Sequence, residues 1–259
     1  MDVLTRSQRD DLTARGRAAS LRLAELVRSL DARRAARPVP GLGWNAAETA
    51  AHVVNLYGRG LGDMRRSATP EATAALNATC LDEYAERDPA TVADRIAADA
   101  TTCWDVVFPT LPDDRGLLFH ASARTTIVPI MGVLLMEVLA HGDDIGRATD
   151  RPWSIDDDDA WCALAALAPL LPAWQRPGVT AHDTIALLGP TGDAMRIASH
   201  RDSDGDGDGD GGQVTVTIGP VLDGDRVTPE APAAALLGIL GRRPCGPPLA
   251  DLARRFGPF

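Results

Sequence analysis

The hydrophobic positions of this chain change period near Thr180. Before it they recur at helical spacing; after it they alternate or run in short apolar stretches, as strands do. Leu12, Ala19, Leu23, Leu26 and Leu30 predict an amphipathic helix over residues 5–34, ended by Arg37-Pro38-Val39-Pro40-Gly41. A second helix is expected from Asn45. Asn45 and Glu48 have capping-box spacing, Trp44 stands where a hydrophobic staple residue would, and Val53, Val54, Tyr57, Leu61 and Met64 form the apolar side. Residues 70–88 are weakly patterned and predict a short helix around Thr73 to Tyr84. Pro89 suits the first turn of a helix over 89–108, with Val92, Ile96, Ala100, Cys103 and Val107 in phase. Pro109 to Gly116 reads as a loop, Leu117 to His120 as a short extended piece, and residues 124–149 as the fourth long helix. Four long helices with polar loops predict an up-and-down four-helix bundle.

Arg151-Pro152-Trp153 breaks that pattern. A fifth helix is expected over 156–172, and Asp156 to Asp159 suit its positive N-terminal end better than they suit a calcium patch. Thr184 to Leu188, Met195 to Ser199 and Val214 to Ile218 read as strands, with Val221 and Val227 in a shorter fourth and Pro229 to Leu240 as a helix. The fold class is therefore α+β with two domains, a helical one over 1–150 and a small α+β one over 151–259. Between the strands, Asp202 to Gly212 (DSDGDGDGDGG) places carboxylates at alternate positions, like a calcium loop. An EF-hand ends on a bidentate carboxylate and a helix; here Gln213 and a strand follow, so the stretch reads as a flexible hairpin loop.

Composition removes several function classes. A net charge of −10 over 259 residues disfavours nucleic acid as a partner. The N-terminus lacks the apolar core of a signal peptide, and no apolar run is long enough to span a membrane. Cys80, Cys103, Cys162 and Cys245 form no CxxC pair, which argues against a thiolate zinc site or a redox dithiol and fits reduced thiols in the cytoplasm. All 26 basic residues are arginine, a bias that matches a GC-rich coding sequence.

The candidate chemistry lies in the fourth long helix. Glu137 and His141 are four residues apart and so share a helix face, on or beside an apolar stripe with Leu134 and Ile130. A buried carboxylate there needs a cation, a hydrogen-bond network or a metal. Asp144, three residues on, either orients the imidazole or makes a helix-end or loop contact. His52 lies at the edge of the second helix beside Glu48, Asn55 and Arg59, where periodicity alone allows both surface and site. His120 reads as structural or exposed.

The segment Pro40 to His52 (PGLGWNAAETAAH), with Glu137 to Ile145 (EVLAHGDDI) and Arg151 to Ile155 (RPWSI), resembles the mycothiol-dependent maleylpyruvate isomerase family. That family belongs to the DinB-like superfamily of metal-binding four-helix bundles, and the strand-rich tail looks like its C-terminal, sterol-carrier-like domain. The resemblance implies that His52, Glu137 and His141 are the metal ligands, with zinc or another divalent ion bound. Two imidazoles and a carboxylate with an open position are a catalytic zinc arrangement. It further implies mycothiol, a thiol of actinobacteria, as nucleophile or co-substrate. The reaction would be thiolate addition to a double bond, rotation and elimination, or transfer of the thiol to a small electrophile. The Asp-Gly stretch departs from the family pattern. Anionic substrates need cations, for which Arg59, Arg124, Arg196, Arg201 and Arg226 are available. The alternatives are a metal lyase or hydrolase using activated water on the same residues, and a non-enzymatic ligand-binding protein. Expected partners are small molecules only, with the chain a monomer or homodimer.

Overall fold

The structure is a computed structural model describing residues 6–120, 123–174, 184–200 and 213–255. The chain divides into two compact units, Met1–Ile155 and Asp156–Phe259. The first is helical and the second carries a sheet. No described helix is long and apolar enough to cross a membrane.

In the first unit, α1 (Arg6–Arg28) buries Leu12, Ala19, Leu23 and Val27. It stops short of the expected residue 34. Asp31 adopts an extended conformation and accepts a hydrogen bond from the Arg34 backbone N–H, starting a separate one-turn α2 (Ala32–Ala35). An antiparallel bridge between Pro38 and Asn45 closes the next loop, whose turn uses Gly41 at φ +84°. That loop delivers the chain into α3 (Ala46–Gly60). The capping box is formed: the Glu48 N–H donates to Asn45 Oδ1 at 2.9 Å and the Asn45 N–H to Glu48 Oε2 at 2.8 Å. The staple is not, because the residue four positions into the helix is Thr49, whose hydroxyl bonds the Asn45 carbonyl.

Helix α4 (Pro70–Glu83) starts three residues earlier than expected, capped by Thr69 with Pro70 in its first turn. Helix α5 (Pro89–Thr101) is capped by Asp88 and runs into a wider π-helical turn, Thr102–Val107, then a last α turn α6 (Phe108–Thr110). The helix thus passes through Pro109, expected to open a loop; the widened turn precedes a residue that has no N–H to give. Arg124–Thr125, expected as the start of the long helix, instead form a strand β2 paired with β1 (Leu117–Leu118). Helix α7 (Ile127–Thr149) follows, with Pro129 in the first turn, where no backbone N–H is required.

Helices α1 and α3 each pack against both α5 and α7. Trp104, Tyr57, Phe108, Met131, Leu135, Leu139 and Ile145 fill the space between them. The polar ends of the two largest are satisfied together: Tyr57 and Ser20 share a hydrogen bond, and the Trp104 indole N–H donates to Ser20 Oγ at 3.2 Å.

In the second unit, α8 (Asp157–Leu167) is capped by Asp156 and gives way to a 3₁₀ stretch, Ala168–Trp174. The expected single helix over 156–172 tightens there because Pro169 and Pro172 cannot donate α-helical bonds. Four strands, β3 (Thr184–Leu188), β4 (Asp193–His200), β5 (Gln213–Pro220) and β6 (Arg226–Val227), lie in the order β5-β4-β3-β6. The first three pair antiparallel and β6 runs parallel to β3; Val221 is outside the sheet. Helix α9 (Pro232–Ile239) begins three residues after the expected Pro229. A further helix, α10 (Pro247–Arg255), was not predicted; it buries Leu249 and Leu252. The Asp202–Gly212 stretch lies outside the described residues, between β4 and β5.

Candidate metal centre

Helix α7 presents Glu137 and His141 one turn apart, and α3 presents His52 toward them. One ligand atom from each of the three lies within 4.8 Å of the others. Glu137 Oε2 is 3.0 Å from His141 Nε2. The His52 ring meets His141 edge-on, with centroids 5.1 Å apart. Both histidines are buried, and the Glu137 side chain keeps 19% of its surface exposed. Burial of His52 is what periodicity left open; it faces α7 and not solvent.

The second nitrogen of His141 is held as well. Its Nδ1 lies 3.2 Å from Asp144 Oδ2, and the other Asp144 oxygen accepts a hydrogen bond from Arg147 at 3.1 Å. Asp144 is fully buried and contacts both the imidazole and Arg147 in the last turn of α7. Burial pulls the His141 pKa down, but the Asp144 and Glu137 hydrogen bonds outweigh it and push the group up to about 9. The two carboxylates thus favour the protonated form of the imidazole that lies between them.

This helical frame has known relatives. A family model described as "Mycothiol maleylpyruvate isomerase N-terminal domain" matches residues 17–146. The chain belongs to the mycothiol maleylpyruvate isomerase family. The matched segment runs from α1 to α7 and includes His52, Glu137, His141 and Asp144. The chain is similar in fold to the crystal structure of a mycothiol-dependent maleylpyruvate isomerase (TM-score 0.52, 18% identity). It is likewise similar to that of a histidine-to-alanine mutant of such an enzyme (TM-score 0.51, 17% identity). Each alignment covers 93% of this chain and 90% of the other, so the helical first unit and the sheet-containing second unit both have counterparts. No curated protein sequence matches the chain.

Two tryptophans buttress the centre of this family member. Trp44, freed from any staple role, lies against His52 with ring centroids 4.9 Å apart. Trp153 lies over α7 at Gly142 and Gly146, where a Cβ would stand 2.1 Å and 2.9 Å from its atoms. Its indole N–H donates to the Leu139 carbonyl at 3.2 Å, and the Arg22 guanidinium sits 5.0 Å above the ring. Neither role is visible in a periodicity; the available signal was a tryptophan next to a capping residue and two glycines four apart inside an apolar helix. Of the five arginines considered as anion partners, Arg196 is bound to Asp225 at 2.9 Å, Arg124 is exposed on β2, and Arg201 lies outside the described residues. Arg226 is exposed on β6, whereas Arg59 is on the same helix as His52.

Proposed function

We propose that His52, Glu137 and His141 bind one divalent metal ion, zinc by the character of the donors, and that the chain is a mycothiol-dependent enzyme. The reaction is isomerisation of the maleylpyruvate type or transfer of the thiol to a small electrophile. The observation that carries this reading is the meeting of two buried imidazoles and a carboxylate, all within 4.8 Å, inside the segment that matches the family. The fit is chemical: a largely buried carboxylate facing two imidazoles is stabilised by a shared cation, and two nitrogens with one oxygen suit zinc. When bound, the ion supplies the positive charge that lets a thiol ionise near neutral pH.

The chain's own residues prepare that site. Asp144 takes the Nδ1 side of His141, which leaves Nε2 for the ion, and Arg147 balances the Asp144 charge. Trp44 and the edge of His141 fix the plane of the His52 ring. In this reading the four packed helices are a DinB-like four-helix bundle and the second unit is the sterol-carrier-like domain. The partners are mycothiol and a small electrophile, and the protein works in the cytoplasm as a monomer or homodimer.

The test is turnover of maleylpyruvate, and of a thiol-reactive electrophile, with and without mycothiol and after chelation. Turnover is expected only with thiol and metal together. Turnover that needs metal but no thiol would replace this reading with activated-water chemistry. A thermal shift on adding zinc with no turnover at all would replace it with a binding protein.

A further inference from the structure

The α3 stripe that begins at His52 continues through Asn55 and Arg59, at spacings of three and four residues. An ideal helix places all three within an arc of about 60°. Asn55 Nδ2 and Arg59 Nε are buried and have no hydrogen-bond partner among the described residues. Nor has His120 Nε2; the sequence reads His120 as structural or exposed, and the residue is only 7% exposed.

The chemistry of these three atoms is uniform. The Ser67 backbone N–H donates to His120 Nδ1 at 3.0 Å, and the Ser67 hydroxyl lies 2.8 Å from the same atom. A backbone N–H can only donate, so Nδ1 carries the lone pair and the proton of the neutral ring is on Nε2. The Asn55 amide nitrogen and Arg59 Nε are donors by nature. Among the described residues three buried N–H groups therefore lack an acceptor, which is costly for a protein to maintain without a purpose. Arg59 is held in place from its far end, where it donates to Asn77 Oδ1 at 2.6 Å. His120 stays neutral at pH 7: burial foremost, then Arg59 and Arg66, lower it to about 4, against an opposing pull from Glu137. His120 thus lies within electrostatic reach of both Arg59 and the Glu137 carboxylate of the metal cluster.

We propose that Asn55, Arg59 and His120 form an anion site, which takes a carboxylate of the substrate beside His52, Glu137 and His141. Its role in substrate binding rests on the metal-site reading above; the binding of an anion does not. With a helical rise of about 1.5 Å per residue, Asn55 stands about 4.5 Å and Arg59 about 10 Å along α3 from His52. The site suits a small organic anion whose carboxylate lies a few bonds from its electrophilic carbon.

The experiment is calorimetric titration of maleate into the full chain, metal-free and zinc-loaded, with zinc stoichiometry measured separately. Wild type is expected to bind maleate in both forms and to bind its uncharged dimethyl ester in neither. Arg59→Gln should weaken maleate about tenfold or more and leave zinc stoichiometry unchanged, since it removes a charged donor. Asn55→Ala and His120→Ala, checked for fold by circular dichroism, should weaken it too and carry the test if Arg59→Gln does not fold. Maleate affinity unchanged in the folded variants, or absent from folded wild type, overturns the proposal. Arg59-dependent maleate binding by a chain that takes up no zinc would uphold the anion site and reject the metal reading.

Discussion

Gly142→Ala adds one carbon beside His141, and the three atoms nearest to that carbon all belong to the Trp153 indole. The two closest would be 2.1 Å and 2.2 Å away, against an ordinary carbon–carbon contact of about 3.5–4 Å. The indole must therefore move by about 1.5 Å. Overpacking of this kind costs about 1–3 kcal/mol, and losing the indole bond to the Leu139 carbonyl costs about 1 kcal/mol more. Alanine returns about 1 kcal/mol through its better helix propensity. The net destabilisation is about 1–3 kcal/mol, a fall in Tm of roughly 3–10 °C for a unit of this size. The decisive measurement is the same substitution in a Trp153→Ala background. There the obstruction is gone and only the helix propensity remains, so Gly142→Ala should stabilise, by about 0.5–1 kcal/mol. An effect of the same sign in both backgrounds would refute the idea that Gly142 exists as a seat for Trp153.

Asp144→Asn should lower zinc affinity about 10–100-fold in a competition titration with a chelator, because the amide no longer accepts two charged hydrogen bonds; unchanged affinity would reduce Asp144 to a packing residue. His120 has a folded-state pKa of about 4, below the unfolded value of about 6.5. Its contribution is therefore complete above pH 6.5 and is lost as pH falls toward 4, when the unfolded chain binds the proton first. Urea melts of metal-free wild type and His120→Gln should show their stability difference shrinking by about 1–2 kcal/mol over that range, after allowance for solvent screening; a difference independent of pH would contradict the shift. Asn45→Ala removes the capping box that starts α3 and should cost about 0.5–2 kcal/mol in the same melts, with no loss above error disproving the cap's role.

How far the site was legible depends on which element carried it. Glu137 and His141 stand on one helix, so their spacing alone places them together. His52 is brought to them by packing of α3 on α7, and its own neighbours, Glu48, Asn55 and Arg59, look like a solvated edge. Only the wording of the surrounding segment singled it out. Asn55 and His120 drew no attention as site residues, and Arg59 only as one of five available cations, for the same reason: polarity in a sequence looks alike whether water or a ligand is to satisfy it. In the fold, long apolar stripes were read correctly as to element type, while boundaries moved wherever a cap or a proline competed. Asp31 cut α1 short, Thr69 and Pro70 started α4 early, and the pairing of Arg124–Thr125 with β1 delayed α7. Helix α10 was missed because Gly246, Pro247 and Pro248 at its start mask a short Leu249–Leu252 repeat that becomes apolar contact only against the rest of the unit.

The central claim is that the three side chains hold a metal ion. Elemental mass spectrometry of protein purified without added metal or an affinity tag, alongside His141→Ala, tests it most directly. About one zinc or other divalent ion per wild-type chain is expected, with none in a His141→Ala protein that keeps its helical circular dichroism. A wild-type chain that carries no metal and takes up none from added zinc, or a variant that retains it, would contradict the assignment of His52, Glu137 and His141.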